Sequence, residues 1–267
     1  MNREQTNMSL TVSNSLHPAE SAHWYTKSGM PAYEVKAKNG EMRATTLRDA
    51  KKFDYIPSVT TIIRCAASPG LDRWKQEQVL YCALTTSQKQ GESEQNYLRR
   101  IMDDSREQGK KAAQRGTVIH AAIEGFYEGK GRGEYPKHVE GVKIALEARY
   151  GVQNWIAEKS FASNLGFGGK TDLCTPGIVV DVKTKEFSPD APPKAYDEHQ
   201  MQLAAYRTGL GMPHAKCANL FVSASHPGTV HIHEWSEEDM EQGWEMFVNL
   251  LRFWYAKTGL DKLRNSV

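Results

Sequence analysis

Asp172, Asp181 and Lys183 are the residues whose types and spacing could do chemistry together. Asp181 and Lys183 lie two apart in the run Ile178-Val-Val-Asp-Val-Lys183, which is otherwise apolar and rich in β-branched residues. A strand here projects a carboxylate and an ammonium from one face. Pro176-Gly177 supplies a turn ahead of it, and Lys170-Thr-Asp-Leu-Cys174 alternates like a partner strand, so Asp172 can face Asp181 across a hairpin. Two close carboxylates repel, and a divalent cation relieves that repulsion. Hard cations such as Mg2+ take oxygen ligands and keep several waters, which suits a phosphate substrate. Lys183 could orient or activate an attacking water and offset negative charge building on the phosphate. An Asp-x-Lys tripeptide alone is more often an exposed ion pair of little energetic consequence, so the weight falls on its neighbours.

Those neighbours are placed by two helices and a preceding strand. On a helix predicted to start near Gly116, in Arg115-Gly-Thr-Val-Ile-His-Ala-Ala-Ile-Glu-Gly125, His120 and Glu124 are four apart on one face and could both reach toward a metal. Glu124 alternatively fixes the imidazole from behind or is simply exposed. After the hairpin, a helix through Tyr196 to Tyr206 sets Gln202 and Tyr206 one turn apart, an amide and a phenol able to hydrogen-bond to a phosphate or a water. Trp155 to Phe161 reads as a strand before the hairpin, and residues 218–224 and 229–234 as a second hairpin after it.

The order Gly-x-x-x-His at 116–120, Asp172, Asp181-Val-Lys183 and Gln202-x-x-x-Tyr206 resembles the motif set of the PD-(D/E)XK nuclease superfamily, and within it the RecB-like exonuclease branch, which includes phage recombination and mitochondrial genome maintenance exonucleases. The resemblance covers roughly residues 115–225. It implies an α/β fold with the αβββαβ restriction-endonuclease-like core, a mixed central sheet flanked by helices, and an N-terminal helical and hairpin elaboration. It also implies a Mg2+-dependent deoxyribonuclease, with Mn2+ able to substitute, that hydrolyses phosphodiester bonds from DNA ends in recombination, repair or replication of phage or bacterial DNA. In that scheme His120, Asp172, Asp181 and the Val182 backbone carbonyl hold the metal, Lys183 acts on the water, and Gln202 and Tyr206 position water or phosphate. A structure-specific endonuclease of the same fold and a non-catalytic nucleic-acid-binding module are the alternatives. Some relatives carry an iron–sulfur cluster on cysteines near the C-terminus. Here only Cys217 falls late in the chain, so no cluster is expected.

Composition sets the outer limits. At 267 residues with a net charge of +2 and a pI near 8.2, the chain can bury a sizeable core, and any nucleic-acid contact must come from a local patch. Arg106, Lys110, Lys111 and Arg115, with Lys185, form the candidate DNA-binding set, against the alternative of a solvated helix face. No apolar run is long enough for a membrane span and the start lacks a signal-peptide core, giving a soluble protein of a bacterial or phage-infected cytoplasm as the expectation. DNA ends, single- or double-stranded, are the expected partner. A single-strand-binding or annealing protein and a second copy of the chain are compatible additions.

The expected organisation is a disordered start over 1–22, accessory strands and helices over 23–114, and the nuclease core with a closing C-terminal helix over 115–267. Within the accessory part, Asn39-Gly40 marks a hairpin, Ser58 caps a short helix, and Leu71, Trp74, Val79, Tyr97, Leu98 and Ile101 are predicted core residues.

Overall fold

A computed structural model describes residues 23–260; the expectation for 1–22 lies outside the described residues. The accessory part begins with short strands β1 (Trp24–Tyr25), β2 (Glu34–Lys36) and β3 (Met42–Ala44), then α1 (Leu47–Phe53), β4 (Ile56–Pro57) and α2 (Val59–Ile63). β2 and β3 pair antiparallel about Asn39-Gly40, where Gly40 has φ of 89°, the conformation this turn requires. Ser58 caps α2, its hydroxyl accepting from the Thr61 amide.

Helices α3 (Pro69–Thr85) and α4 (Glu94–Tyr127) follow, then α5 (Pro136–Tyr150). Two expectations change here. Leu71, Trp74 and Leu98 are 47%, 40% and 55% exposed rather than core, while Ile101 is buried. Leu71, Trp74, Leu80, Tyr81 and Leu84 are strewn around α3 instead of forming one stripe, and no single neighbour can cover them. Nor does the helix carrying His120 begin at Gly116: α4 runs unbroken for 34 residues from its Ser93 cap. One internal glycine costs only about 1 kcal/mol, too little to break a helix flanked by good formers.

The core is a five-stranded sheet in the order β5 (Ile156–Ser163), β6 (Phe167–Thr175), β7 (Ile178–Lys185), β8 (Lys216–Ser223), β9 (Val230–Trp235). All neighbours are antiparallel except β7 and β8, which are parallel and joined through α6 (Asp197–Gly209). With α4 and α5 leading, the elements run ααβββαβ, an αβββαβ core with one added helix, on a mixed sheet flanked by helices.

Strand alternation decides the layers. Leu173, Val180 and Val182 meet Ile119 and Ile123 of α4 and Val142 and Leu146 of α5 on one face. Cys174, Val179 and Cys217 meet α6, α2 and the closing helix α7 (Glu237–Thr258) on the other, around Phe167 and Phe247. Both faces are dry. The polar side chains at Asp181 and Asn219 are therefore conspicuous inclusions.

Gly168 ties the accessory part to this core: a Cβ there would stand 2.8 Å from the Tyr25 ring. The missing side chain lets β1 lie directly on β6, beside the hairpin that carries the acids. Within the core, a Cβ on Gly169 would stand 2.7 Å from the Phe161 ring and 2.9 Å from that of Tyr206.

Candidate active site

The ladder between β6 and β7 holds only at Leu173–Val180, Cys174–Val179 and Thr175–Ile178, then stops. Asp172 and Asp181 are the next residues, at the fork where the strands part. The fork leaves the Val182 amide without a ladder acceptor, and Asp172 supplies one, its Oδ2 accepting at 2.6 Å. Asp172 Oδ1 lies 3.3 Å from His120 Nε2, which in turn lies 2.7 Å from Glu124 Oε1. His120, Glu124 and Asp172 thus offer three ligand atoms within 4.8 Å of one another, each residue partly open to solvent. One nitrogen and two carboxylate oxygens form a donor set that fits a divalent cation with remaining positions open for water or substrate.

Asp181 belongs to the other side of the fork and is 1% exposed. Its Oδ1 accepts from Lys183 Nζ at 3.0 Å and from Gln202 Nε2 at 2.8 Å, and its Oδ2 from Asn219 Nδ2 at 2.8 Å. Gln202 completes the arrangement: its Oε1 accepts from Lys183 at 3.1 Å while its Nε2 also donates to the Tyr206 hydroxyl at 3.0 Å. Carboxylate, ammonium, amide and phenol are thereby locked into one network on the α6 face.

Charge is divided across the fork. Burial disfavours ionisation of both acids, yet His120 and Lys183 outweigh it at Asp172 and hold that carboxyl below its usual range. Burial and the Asp172 charge push Asp181 up. Burial would lower Lys183, but Asp181 and Asp172 more than compensate, so the ammonium stays protonated. His120 behaves alike: burial opposes its charge, and Asp172 and Glu124 override this to raise it to about 10. A pair of acids with separated ionisation beside a fixed cation is the electrostatic pattern of a reactive site.

Of the residues singled out in the sequence, the fork gathers His120, Glu124 and Asp172 in one group and Asp181, Lys183, Gln202 and Tyr206 in another; Val182 joins them through its amide to Asp172. The basic set is more dispersed. Arg106 pairs with Asp103 and Lys111 with Glu107 on the exposed side of α4, the Arg115 guanidinium donates to the Ala224 carbonyl, and Lys185 lies over the rings of Tyr196 and Phe221. Lys110 is exposed on α4.

Asn219 escaped the sequence reading. It stands beside Asp181 in the parallel ladder, its amide oriented by the Trp235 indole at 2.8 Å. An asparagine inside Ala218-Asn-Leu-Phe-Val was the available signal, since a polar residue in a buried strand needs a partner.

His199 lines the space in front of Lys183. Burial, with Lys183, Lys185 and His233 adding to it, pushes this imidazole down to about 3. Between pH 6.5 and about 3 the unfolded chain binds a proton that the folded chain refuses, so stability falls as pH drops through that window; above it this group has no effect. The full shift corresponds to an order of 3–5 kcal/mol at about 1.4 kcal/mol per pH unit. His199→Asn keeps an acceptor for the Tyr196 amide, bonded at 3.1 Å, and is expected to flatten the difference in urea midpoint between pH 7 and pH 4. An unchanged difference would show that His199 is not the titrating group.

No family model matches the chain, and no curated protein matches it. Among solved structures, a "Putative exonuclease" from Eubacterium rectale aligns over 55% of this chain and 68% of its own at 14% identity, with a TM-score of 0.39. A protein called SSO0001 aligns over 67% of this chain and 86% of its own, also at 14% identity, with a TM-score of 0.28.

Proposed function

We propose that the chain is a divalent-metal-dependent deoxyribonuclease of the RecB-like PD-(D/E)XK type, an exonuclease that hydrolyses phosphodiester bonds from DNA ends. The observation that carries this reading is the fork: a His120, Glu124 and Asp172 ligand group on one side and Lys183 held by Asp181 and Gln202 on the other, on an αβββαβ core. The order of the sequence motifs supports the same reading.

In this mechanism His120, Glu124 and Asp172 would hold Mg2+ or Mn2+, and Asp181 and the Val182 carbonyl, which the resemblance adds to the ligand set, would join them only if Asp181 gave up part of its bonding to Lys183, Gln202 and Asn219. The bound cation supplies Lewis acidity toward the phosphate. Asp172, ionised and fixed by the Val182 amide, stays in register without reorganising. Lys183 is kept protonated by its two acids, so it acts as a donor to the charge developing on the phosphate and not as a base. Gln202 aims that ammonium, and Tyr206 braces Gln202 from the next turn. The accessory elements over 23–114 guide the strand, and Lys110 and its neighbours on α4 lie along its approach.

The test is release of nucleotides from end-labelled linear DNA. Turnover is expected with Mg2+ or Mn2+, to vanish in chelator and to return when metal is restored. A covalently closed circle should survive. Cleavage of the circle would replace the exonuclease with an endonuclease of the same fold, and DNA binding without cleavage under any metal would leave a binding module.

A further inference from the structure

Two cavities open beside the fork and share a wall. The larger, about 850 Å3, is lined by Lys183 and Gln202 among others; the smaller, about 370 Å3, is lined by His23, Tyr25, Tyr33, Lys170 and Tyr206. Thr60 and Arg64 line both, and the bond between Gln202 and Tyr206 spans them. The smaller space is at the low end for a small-ligand site, about 300 Å3.

Its chemistry is specific. Tyr33 is stacked on His23 with ring centroids 4.6 Å apart, and Tyr25 braces it edge-on, the two hydroxyls bonded at 2.6 Å. The aromatic surface is therefore ordered before any ligand arrives, which removes a cost of binding. Lys170 stands on β6 two residues before Asp172, its ammonium paired with Glu158, a strand residue held at φ of 55°. A non-glycine residue kept in that conformation is strained, and here the strained residue fixes the cation that enters the cavity. Rigid aromatic rings next to Lys170 and Arg64 form the surface that a single-stranded nucleic acid uses, one base on a ring and its phosphate against a cation.

We infer that this smaller cavity is a subsite for one unpaired terminal nucleotide, its base stacked at Tyr33 and His23 and its phosphate facing Lys170 and Arg64. The inference rests on the nuclease reading for its purpose and deepens it: the substrate is a single-stranded end, threaded so that one nucleotide lies beyond Tyr206 and the rest of the strand lies along the cavity in front of Lys183. On this inference a terminal base must leave its complement to enter the smaller space.

The probe is a 12-nucleotide single strand with 2-aminopurine at one end or the other, compared with the blunt duplex of the same sequence, in chelator so that nothing is cut. Addition of the protein should lower the fluorescence of the single strand labelled at the engaged end and leave that of the duplex unchanged. Tyr33→Leu should abolish the quench and weaken binding by about tenfold, within the range of one base–aromatic stack. Tyr33→Phe, which keeps the ring, should retain both. Lys170→Gln should keep the quench but lower the slope of log affinity against log salt by about 0.7, the share of one phosphate contact. Equal quenching of single strand and duplex, or a Tyr33→Leu protein that quenches like wild type, would overturn the subsite. Because the readout needs no cleavage, the two ideas fail separately: quenching as described in a protein that never cuts removes the nuclease reading, whereas metal-dependent cutting without quenching removes the subsite.

Discussion

Asp172→Asn is expected to keep the fold, lose divalent-cation binding, and reduce phosphodiester cleavage by at least about a thousandfold. The carboxylate has two separate tasks. One oxygen satisfies the Val182 amide at the fork and the other faces His120 within the ligand group. Asparagine can still offer a carbonyl oxygen to Val182, but it brings no charge to a cation. Losing about 4 kcal/mol of charge stabilisation accounts for the expected rate change. Asp172→Ala removes the acceptor as well and should cost about 1–3 kcal/mol of stability through an unsatisfied buried amide. Calorimetric titration with Mn2+, cleavage of end-labelled DNA and urea unfolding of both variants separate the two tasks. An asparagine variant that binds Mn2+ like wild type would remove Asp172 from the ligand group.

The second large effect is on stability. Asp181→Ala should destabilise the protein by about 3 kcal/mol, because it removes the charge partner of the Lys183 ammonium and an acceptor from two buried amides at once, leaving Lys183 only the Gln202 carbonyl and Gln202 only the Tyr206 hydroxyl. Lys183→Met should cost less. The Asp181 carboxyl is already pushed toward its neutral form, and two amides still hold it, so it can take up a proton when its partner is gone. Activity moves the other way: Lys183→Met is expected to lose at least about a hundredfold while remaining folded. The double variant should recover part of the stability lost in Asp181→Ala. Urea unfolding across this cycle measures the coupling, and strict additivity of the two single changes would mean that the pair is not acting as one unit.

Much of this site was legible because it is local. Asp181 and Lys183 share a face by strand alternation, Pro176-Gly177 sets the hairpin, and Gln202 and Tyr206 share a face by helical spacing; each depends on a few neighbouring residues. The expected closing helix is local in the same way: it carries a Ser236 capping box and buries Met240, Phe247, Leu251 and Trp254 at spacings of seven, four and three. What stayed hidden depends on distant parts of the chain. Asn219 matters because β8 pairs parallel to β7 through a crossover, so its position beside Asp181 is a property of register and not of either segment. Glu124 was legible as a neighbour of His120 on one helix face, but which of its readings holds depends on Asp172 arriving from a distant strand to complete the group. The exposure of Leu71 and Trp74 was unreadable for a related reason, since apolar residues scattered round a helix do not say which of them will find a neighbour.

The unbroken α4 also bears on how this protein can be taken apart. Sequence alone suggests a seam at residue 115, but that point falls inside a rod about 50 Å long at 1.5 Å per residue. Severing it there would strand carbonyls on one fragment and amides on the other, with Gly116 opening the new end. His120 takes its orientation from a helix whose first six turns grow out of the accessory half. The two halves are thus heirs to a single scaffold, and a protease or a recombination event that divides them at that seam would be expected to disarm both.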